Sequence, residues 1–457
     1  MKSKFLIVLL SFFTYVYPQF GPQQIIATEA SLPVMVFTAD IDGDGNLDVL
    51  SASRYDNNIA WYRNLDGAGT FEAINLIGLL SEAKSIYAAD LDNDGDVDVL
   101  AASSYLDLVV WYENLDGLGN FSSQKIISNN ADGAYSVIAA DIDGDGDNDI
   151  VSGSSNSGLV WYENIDGQGN FSASKIIDHE ILSPWSVVAA DMDGDGDPDL
   201  VSNGNAPGVA RIVWYENLDG RGTFGPRRVI RDFAVYANVI FVADADGNGD
   251  MDVFSASNGD NEVAWHENLD GLGNFGPKNI ITDILDKAWT VYVADLNNDG
   301  DTDVLATSVE NFGGEIVWFE NLDGLGSFSE KKTISTDVQS PRSVIAADID
   351  NDGDLDVISA SQNDYKIAWY ENYTILNVAD NEVNSIKIYP NPTDGIVFIK
   401  SNDEIIIQVL IVDVLGKTVL QFNEDLDELN ISNLQNGMYF LKVTTQRGDF
   451  VQKIIKE

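Results

Sequence analysis

The run DIDGDGDND, Asp141 to Asp149, recurs in close copies starting at Asp40, Asp90, Asp141, Asp191, Asp244, Asp295 and Asp348. Successive starts are 50, 51, 50, 53, 51 and 53 residues apart, so the period belongs to one supersecondary unit that absorbs only small loop insertions. Such a chain is a repeat protein, in which each unit buries its apolar faces against its neighbours.

Each copy has the chemistry of a hard-cation loop. Oxygen-bearing side chains stand at positions 1, 3, 5 and 9, a Gly stands at 6, and position 7 offers its backbone carbonyl. The candidate ligands are Asp40, Asp42, Asp44, Asn46 and Asp48 in the first loop, and Asp90, Asp92, Asp94, Asp96 and Asp98 in the second. Asp141, Asp143, Asp145, Asp147 and Asp149 form the third set, and Asp191, Asp193, Asp195, Asp197 and Asp199 the fourth. The fifth is Asp244, Asp246, Asn248, Asp250 and Asp252, and the sixth Asp295, Asn297, Asp299, Asp301 and Asp303. Asp348, Asp350, Asp352, Asp354 and Asp356 complete the series. Oxygen-only donors in a flexible loop favour Ca²⁺ over Mg²⁺ or zinc. The helix-flanked calcium hand does not fit. It needs a bidentate Glu at position 12, where this chain has Ser51, Ala101, Ser152, Ser202, Ser255, Ala306 and Ser359. The flanks also read as strands: SVIAAD before the third loop and DIVSGS after it are small or β-branched, without a helical stripe.

Asp-x-Asp-Gly-Asp-Gly-x-x-Asp between short strands at this period resembles the FG-GAP/VCBS repeat family, whose best-known members form the seven-bladed propeller head of integrin α subunits. The resemblance spans residues 20–372. It implies an all-β fold, a seven-bladed β-propeller with one calcium loop between the first and second strands of each blade.

A second signature alternates with the loops. WYENLDGLGNF, Trp111 to Phe121, has relatives at Trp61, Trp161, Trp214, Trp265, Trp318 and Trp369. It reads as a strand, a turn at Asp-Gly-x-Gly and a restarted strand, giving four strands per unit. The Trp residues suit packing between neighbouring sheets better than a ligand ladder. The seventh unit stops at Asn372, while FGPQQII near the N-terminus matches FGPKNII at Phe275 to Ile281, so residues 20–26 are expected to close the last blade.

The chain has 74 acidic and 25 basic residues, a net charge of −49. The seven loops hold 32 of the aspartates, and seven dications would offset 14 of the charge. Such a surface repels nucleic acid. With no cysteine, disulfides play no part. Lys2 and Lys4 ahead of the apolar run Phe5 to Val16 suit a secretory signal, residues 1–18, and no later segment is long and apolar enough for a transmembrane helix.

Residues 373–385 read as a linker. Residues 386–457 form a second domain, a small immunoglobulin-like β-sandwich with Asn-Pro, Leu-Gly and Asn-Gly turns. Tyr389 to Pro392 (YPNP), Asp413 to Lys417 (DVLGK) and Gly437 to Tyr439 resemble the type A C-terminal sorting domain of the bacterial type IX secretion system. That resemblance implies export by the type IX machinery to the outer cell surface or beyond.

The repeats diverge at the end of the unit away from the acidic loops. Six residues before each first loop Asp stand Val34, Lys84, Tyr135, Trp185, Asn238, Trp289 and Arg342. Nearby loops add Arg54, Tyr55, Asp56, Tyr105, residues 205–211, Asp260, Phe312 and Tyr365. Lys84, Tyr135, Trp185, Trp289 and Arg342 are candidates to bind a glycan or a protein, as an adhesion module would. The alternative is a polysaccharide lyase or hydrolase built on the propeller. However, the chain has only two histidines, His179 and His266, and lacks a Gly-x-Ser-x-Gly elbow, a phosphate loop and zinc spacing.

Overall fold

The structure, a computed structural model, describes residues 19–206, 210–309, 313–374 and, with short interruptions, 386–456. The signal-like run 1–18 and most of the linker, 375–385, lie outside the described residues, as do Pro390, Asn391 and the centre of the DVLGK turn. Contacts divide the chain into two compact units, Met1–Ile375 and Leu376–Glu457. No helix occurs among the described residues.

The first unit consists of antiparallel four-stranded sheets, seven among the described residues. In the third, Ala134–Ala140, Asp149–Ser154, Gly158–Tyr162 and Lys175–Asp178 lie side by side in chain order. Ala140 pairs with Asp149, Val151 with Trp161 and Trp161 with Lys175. The acidic loop therefore joins the first and second strands, and the Asp-Gly turn joins the third and fourth. The last sheet takes Pro341–Ala347, Asp356–Ser361 and Lys366–Tyr370 from the end of the unit and Gln24–Ala27 from its beginning. There Phe20 bridges Asn372, as Phe71 bridges Asn64 and Phe121 bridges Asn114 in sheets of continuous chain.

The first strands of successive sheets touch one another, and Pro341–Ala347 touches Pro33–Ala39, so the series returns on itself as a β-propeller. Every second strand is buried along its whole length. This is why these strands read as continuous small and apolar runs: neighbouring sheets cover both faces. The core lies between sheets, where Leu50, Ile59 and Trp61 of the first meet Ile86, Val99 and Tyr112 of the second.

The repeated Trp is part of that core. Trp111 is 2% exposed. At Gly169 in the next turn, φ is +70° and a Cβ would lie 2.4 Å from the Trp111 ring, so only glycine fits. Lys125 covers the ring at 4.1 Å. Polar cross-links follow the same pattern. Asn164 Nδ2 donates to the Leu91 carbonyl of the preceding sheet at 2.9 Å. Equivalent bonds run from Asn64, Asn114, Asn217, Asn268, Asn321 and Asn372.

In the second unit, Ile386–Tyr389, Ile396–Ser401 and Glu428–Asn430 form one sheet. Thr418–Phe422, Ile406–Asp413, Gly437–Thr445 and Asp449–Lys456 form the other. They share a core of Val397, Ile399, Val409, Ile411, Leu429, Leu441, Val443 and Ile454.

Candidate functional site

Each acidic loop is shaped by its own backbone. In the third, Asp141 accepts hydrogen bonds from the amides of Gly144 (2.8 Å), Asp145 (3.1 Å) and Gly146 (3.0 Å). The last of these turns through φ +97° at Gly146, which favours glycine. The closing Asp149 is fully buried: Oδ2 accepts from Ile142 N at 3.2 Å and Oδ1 from Asn164 N at 2.7 Å, tying the loop to the third strand. Burial pushes its pKa up to about 7.

These folds bring carboxylates together. Oxygens of Asp141, Asp143 and Asp145 lie within 4.8 Å of one another, as do those of Asp40, Asp42 and Asp48, and of Asp90, Asp92 and Asp94. Asp191, Asp193 and Asp199, and Asp244, Asp246 and Asp252, cluster likewise. The position-3 oxygens Oδ1 of Asp42, Asp92, Asp143, Asp193 and Asp350 are buried without a hydrogen-bond partner. Burial and the neighbouring position-5 carboxylate raise their pKa values, to about 6 for Asp92 and Asp350. Orphaned, mutually repelling oxygens fit a hard cation, and these clusters could hold metal ions. The position-7 side chains point elsewhere. A Cβ on turn residue Gly117 would meet Asp96, and one on Gly167 would meet Asp147, which leaves the position-7 carbonyl as that residue's available donor.

One contributor escapes the loop motif. The Glu of WYEN reaches position 3: Asn297 Nδ2 donates to Glu320 at 3.2 Å, and the charges of Glu113, Glu163, Glu216 and Glu371 help to raise the pKa values of Asp92, Asp143, Asp193 and Asp350. The same Glu113 and Glu163 pair with Lys125 and Lys175, both at 2.6 Å, and those lysines cover Trp111 and Trp161. Loop, third strand and inter-sheet Trp are thus electrostatically linked. In the first repeat the Glu is replaced by Arg63, which pairs with Asp42 and, at 3.2 Å, with Asp44. The signal was in the sequence as WYRN against WYEN, WHEN or WFEN.

The other ends of the first strands, the inner strands of the propeller, lie about 20 Å away, at ~3.3 Å per residue. There Tyr135 and Trp185 stack at 5.3 Å between centroids, and Trp185 meets Trp289 at 6.4 Å. Cations close both ends of the row. Lys84 lies 5.3 Å from the Tyr135 centroid and the Arg342 guanidinium 3.7 Å from that of Trp289. Beside Lys84 is a cavity of about 490 Å³ lined by Arg54, Tyr55, Glu82, Tyr105 and Tyr135 among others. A second, of about 250 Å³, includes Trp289 and Arg342. His266, by contrast, is buried among packing residues, and burial followed by Arg231 and Lys278 lowers its pKa to about 3.

Five stretches, 40–101, 90–152 and 141–202 in one overlapping run and 244–306 and 297–359 in another, match the FG-GAP-like repeat. The chain belongs to the FG-GAP-like repeat family. Residues 387–457 of this FG-GAP-like protein match the secretion system C-terminal sorting domain, which marks the chain for type IX secretion to the cell surface or outside. Among solved structures, it is similar to two described as crystal structures of BBS1N in complex with ARL6DN, soaked with lead or with mercury. They share 10% and 11% identity at TM-scores of 0.55 and 0.54, each covering 79% of this chain and 99% of the other. At that identity the likeness is one of fold. A search of curated proteins finds no match. No helix among the described residues is long and apolar enough to cross a membrane.

Proposed function

We propose that this FG-GAP-like protein is a secreted, calcium-stabilised propeller of seven blades that binds a glycan or a protein and leaves it chemically unchanged. In this reading residues 1–18 are the secretory signal, 19–372 the propeller with 20–26 as its closing strand, 373–385 the linker and 386–457 the sorting domain. Each loop would hold one ion through its side chains at positions 1, 3, 5 and 9 and its position-7 carbonyl. Bound calcium supplies the positive charge that offsets carboxylate repulsion, and its role is structural.

The binding reading is carried by the contact row Lys84, Tyr135, Trp185, Trp289 and Arg342. Large rings and cations gathered at one mouth of a ring are the composition of a recognition surface. Arrays of glycans and surface proteins probed with the calcium-loaded chain test it. The expected result is a ligand class that the wild type retains and that the double substitution Trp185→Ala, Trp289→Ala loses while the chain still melts cooperatively within a few degrees of the wild type. Binding untouched by that substitution, or turnover of the bound polymer, overturns the proposal.

A further inference from the structure

One cluster of side chains at the mouth holds more cations than anions. Arg54 donates to Glu82 Oε2 from Nε at 2.9 Å and Nη2 at 2.7 Å, and Lys84 donates to the same oxygen at 3.1 Å. One carboxylate thus serves two cations. Arg342 donates to the neutral Gln362 Oε1 at 2.6 Å and otherwise rests on Trp289, with no carboxylate partner among the described residues. Within this group of four, three cations face one anion, a local surplus in a protein whose net charge is −49. Burial and the proximity of Arg54 lower the pKa of Lys84, and bring that of Arg342 down to about 10, as expected for cations crowded without enough counter-charge.

The rings add to this. Tyr135, Trp185 and Trp289 turn faces toward one another and toward the two cations, which leaves their electropositive edges for a visitor. The larger cavity also holds Asn57, Ser81 and Ser104, and is flanked by Tyr55 and Tyr105, which are 77% and 72% exposed. At about 490 Å³ it is the size of small-ligand sites and holds one or two sugar rings.

From this juxtaposition we propose that the mouth takes an acidic saccharide. The anionic group would sit among Arg54, Lys84 and Arg342, and a sugar face would lie on Tyr55 or Tyr105. The proposal rests on the reading of this mouth as the binding face. It narrows the ligand to one carrying a carboxylate or a sulfate ester on a pyranose. Non-specific attraction cannot imitate it, because the chain as a whole repels polyanions.

Calorimetric titration of the full, calcium-loaded chain tests the proposal with hyaluronan (carboxylated), dextran sulfate (sulfated), dextran (neutral) and polyglutamate (an acidic peptide). The expected result is at least tenfold tighter binding of hyaluronan, dextran sulfate or both than of dextran. That preference should fall at least tenfold in Arg342→Gln and separately in Arg54→Gln, with melting temperatures at the wild-type value. Which of the two acidic polymers binds identifies the anionic group. Polyglutamate binding equally well, with the same dependence on Arg342, overturns the saccharide. Dextran binding equally well overturns the requirement for charge while leaving the mouth as the binding face. No binding in any arm overturns the acidic saccharide and leaves the mouth itself to the array experiment above.

Discussion

The two ends of the inner strands follow opposite plans. At the loop end seven near-copies present carboxylates, and Asp149 and its six equivalents are buried in the same hydrogen bonds. At the mouth, the seven equivalent positions carry six residue types, and each ring or cation touches a different neighbour. The end that repeats is the one that every sheet needs to hold its shape. The end that varies gathers one side chain from each of five sheets into a single row.

The largest expected effect falls on the loop end. At tenfold excess over a dissociation constant of ~10⁻⁴ to 10⁻³ M, one site contributes about 1.4 kcal/mol, so seven together supply on the order of 10 kcal/mol. Chelation should lower the calorimetric melting midpoint by roughly 10 °C or more, and calcium should restore it; an unchanged midpoint would remove the basis of the contrast.

A pH dependence follows, confined to the ion-free protein. Burial raises Asp48, Asp98, Asp149, Asp199, Asp252 and Asp303 to about 7 and Asp356 to about 8. The unfolded chain releases these protons near pH ~3.9. Between the two values the folded form holds more protons, so stability is highest at low pH and declines as pH climbs from about 4 to 8. Melting curves in chelator should show that decline, and saturating calcium should flatten it. A rise with pH in chelator would mean that these carboxylates are not held as described.

Substitution of single tryptophans separates scaffold from surface. Trp111→Ala opens a cavity between sheets and should cost about 3–5 kcal/mol in urea unfolding. Trp185→Ala, at the half-buried mouth, should cost about 1 kcal/mol or less. Equal costs would make the mouth row another piece of core.

The smallest effect sharpens the comparison inside the loop face itself. Arg63 places a fixed positive charge against Asp42 and Asp44 where other repeats have Glu, so the first loop should bind calcium most weakly. Arg63→Glu should tighten that site about tenfold, near 1.4 kcal/mol, seen in titration as one additional ion bound at low calcium. No change in stoichiometry or affinity would show the guanidinium to be a bystander.

Much of the architecture was legible because it is local and repeated. SVIAAD, DIVSGS and WYEN fix strand character within six residues, and the motif spacing and the terminal signatures of residues 387–457 identify the FG-GAP-like repeats and the sorting domain. What the sequence did not disclose depends on side chains approaching across sheets. The spacing singles out Trp185 and Trp289, but they stand two repeats apart, and nothing local says that their rings meet. The link from Asp92 through Glu113 and Lys125 to Trp111 joins three segments of one repeat by contacts that no periodicity encodes. Arg63 was readable as a departure from WYEN, but its reach to Asp42 and Asp44 was not.

The strand Gln24–Ala27 acts as a latch on the first unit. Gln24 hydrogen-bonds Glu371, 347 positions downstream, so the circle shuts only when both ends of the unit are available to each other. Contacts so distant along the chain make this step slow compared with hairpin formation. Until it occurs, Lys366–Tyr370 is a bare strand edge, open to pairing with the Gln24–Ala27 segment of another molecule, so self-closure competes with exchange between copies.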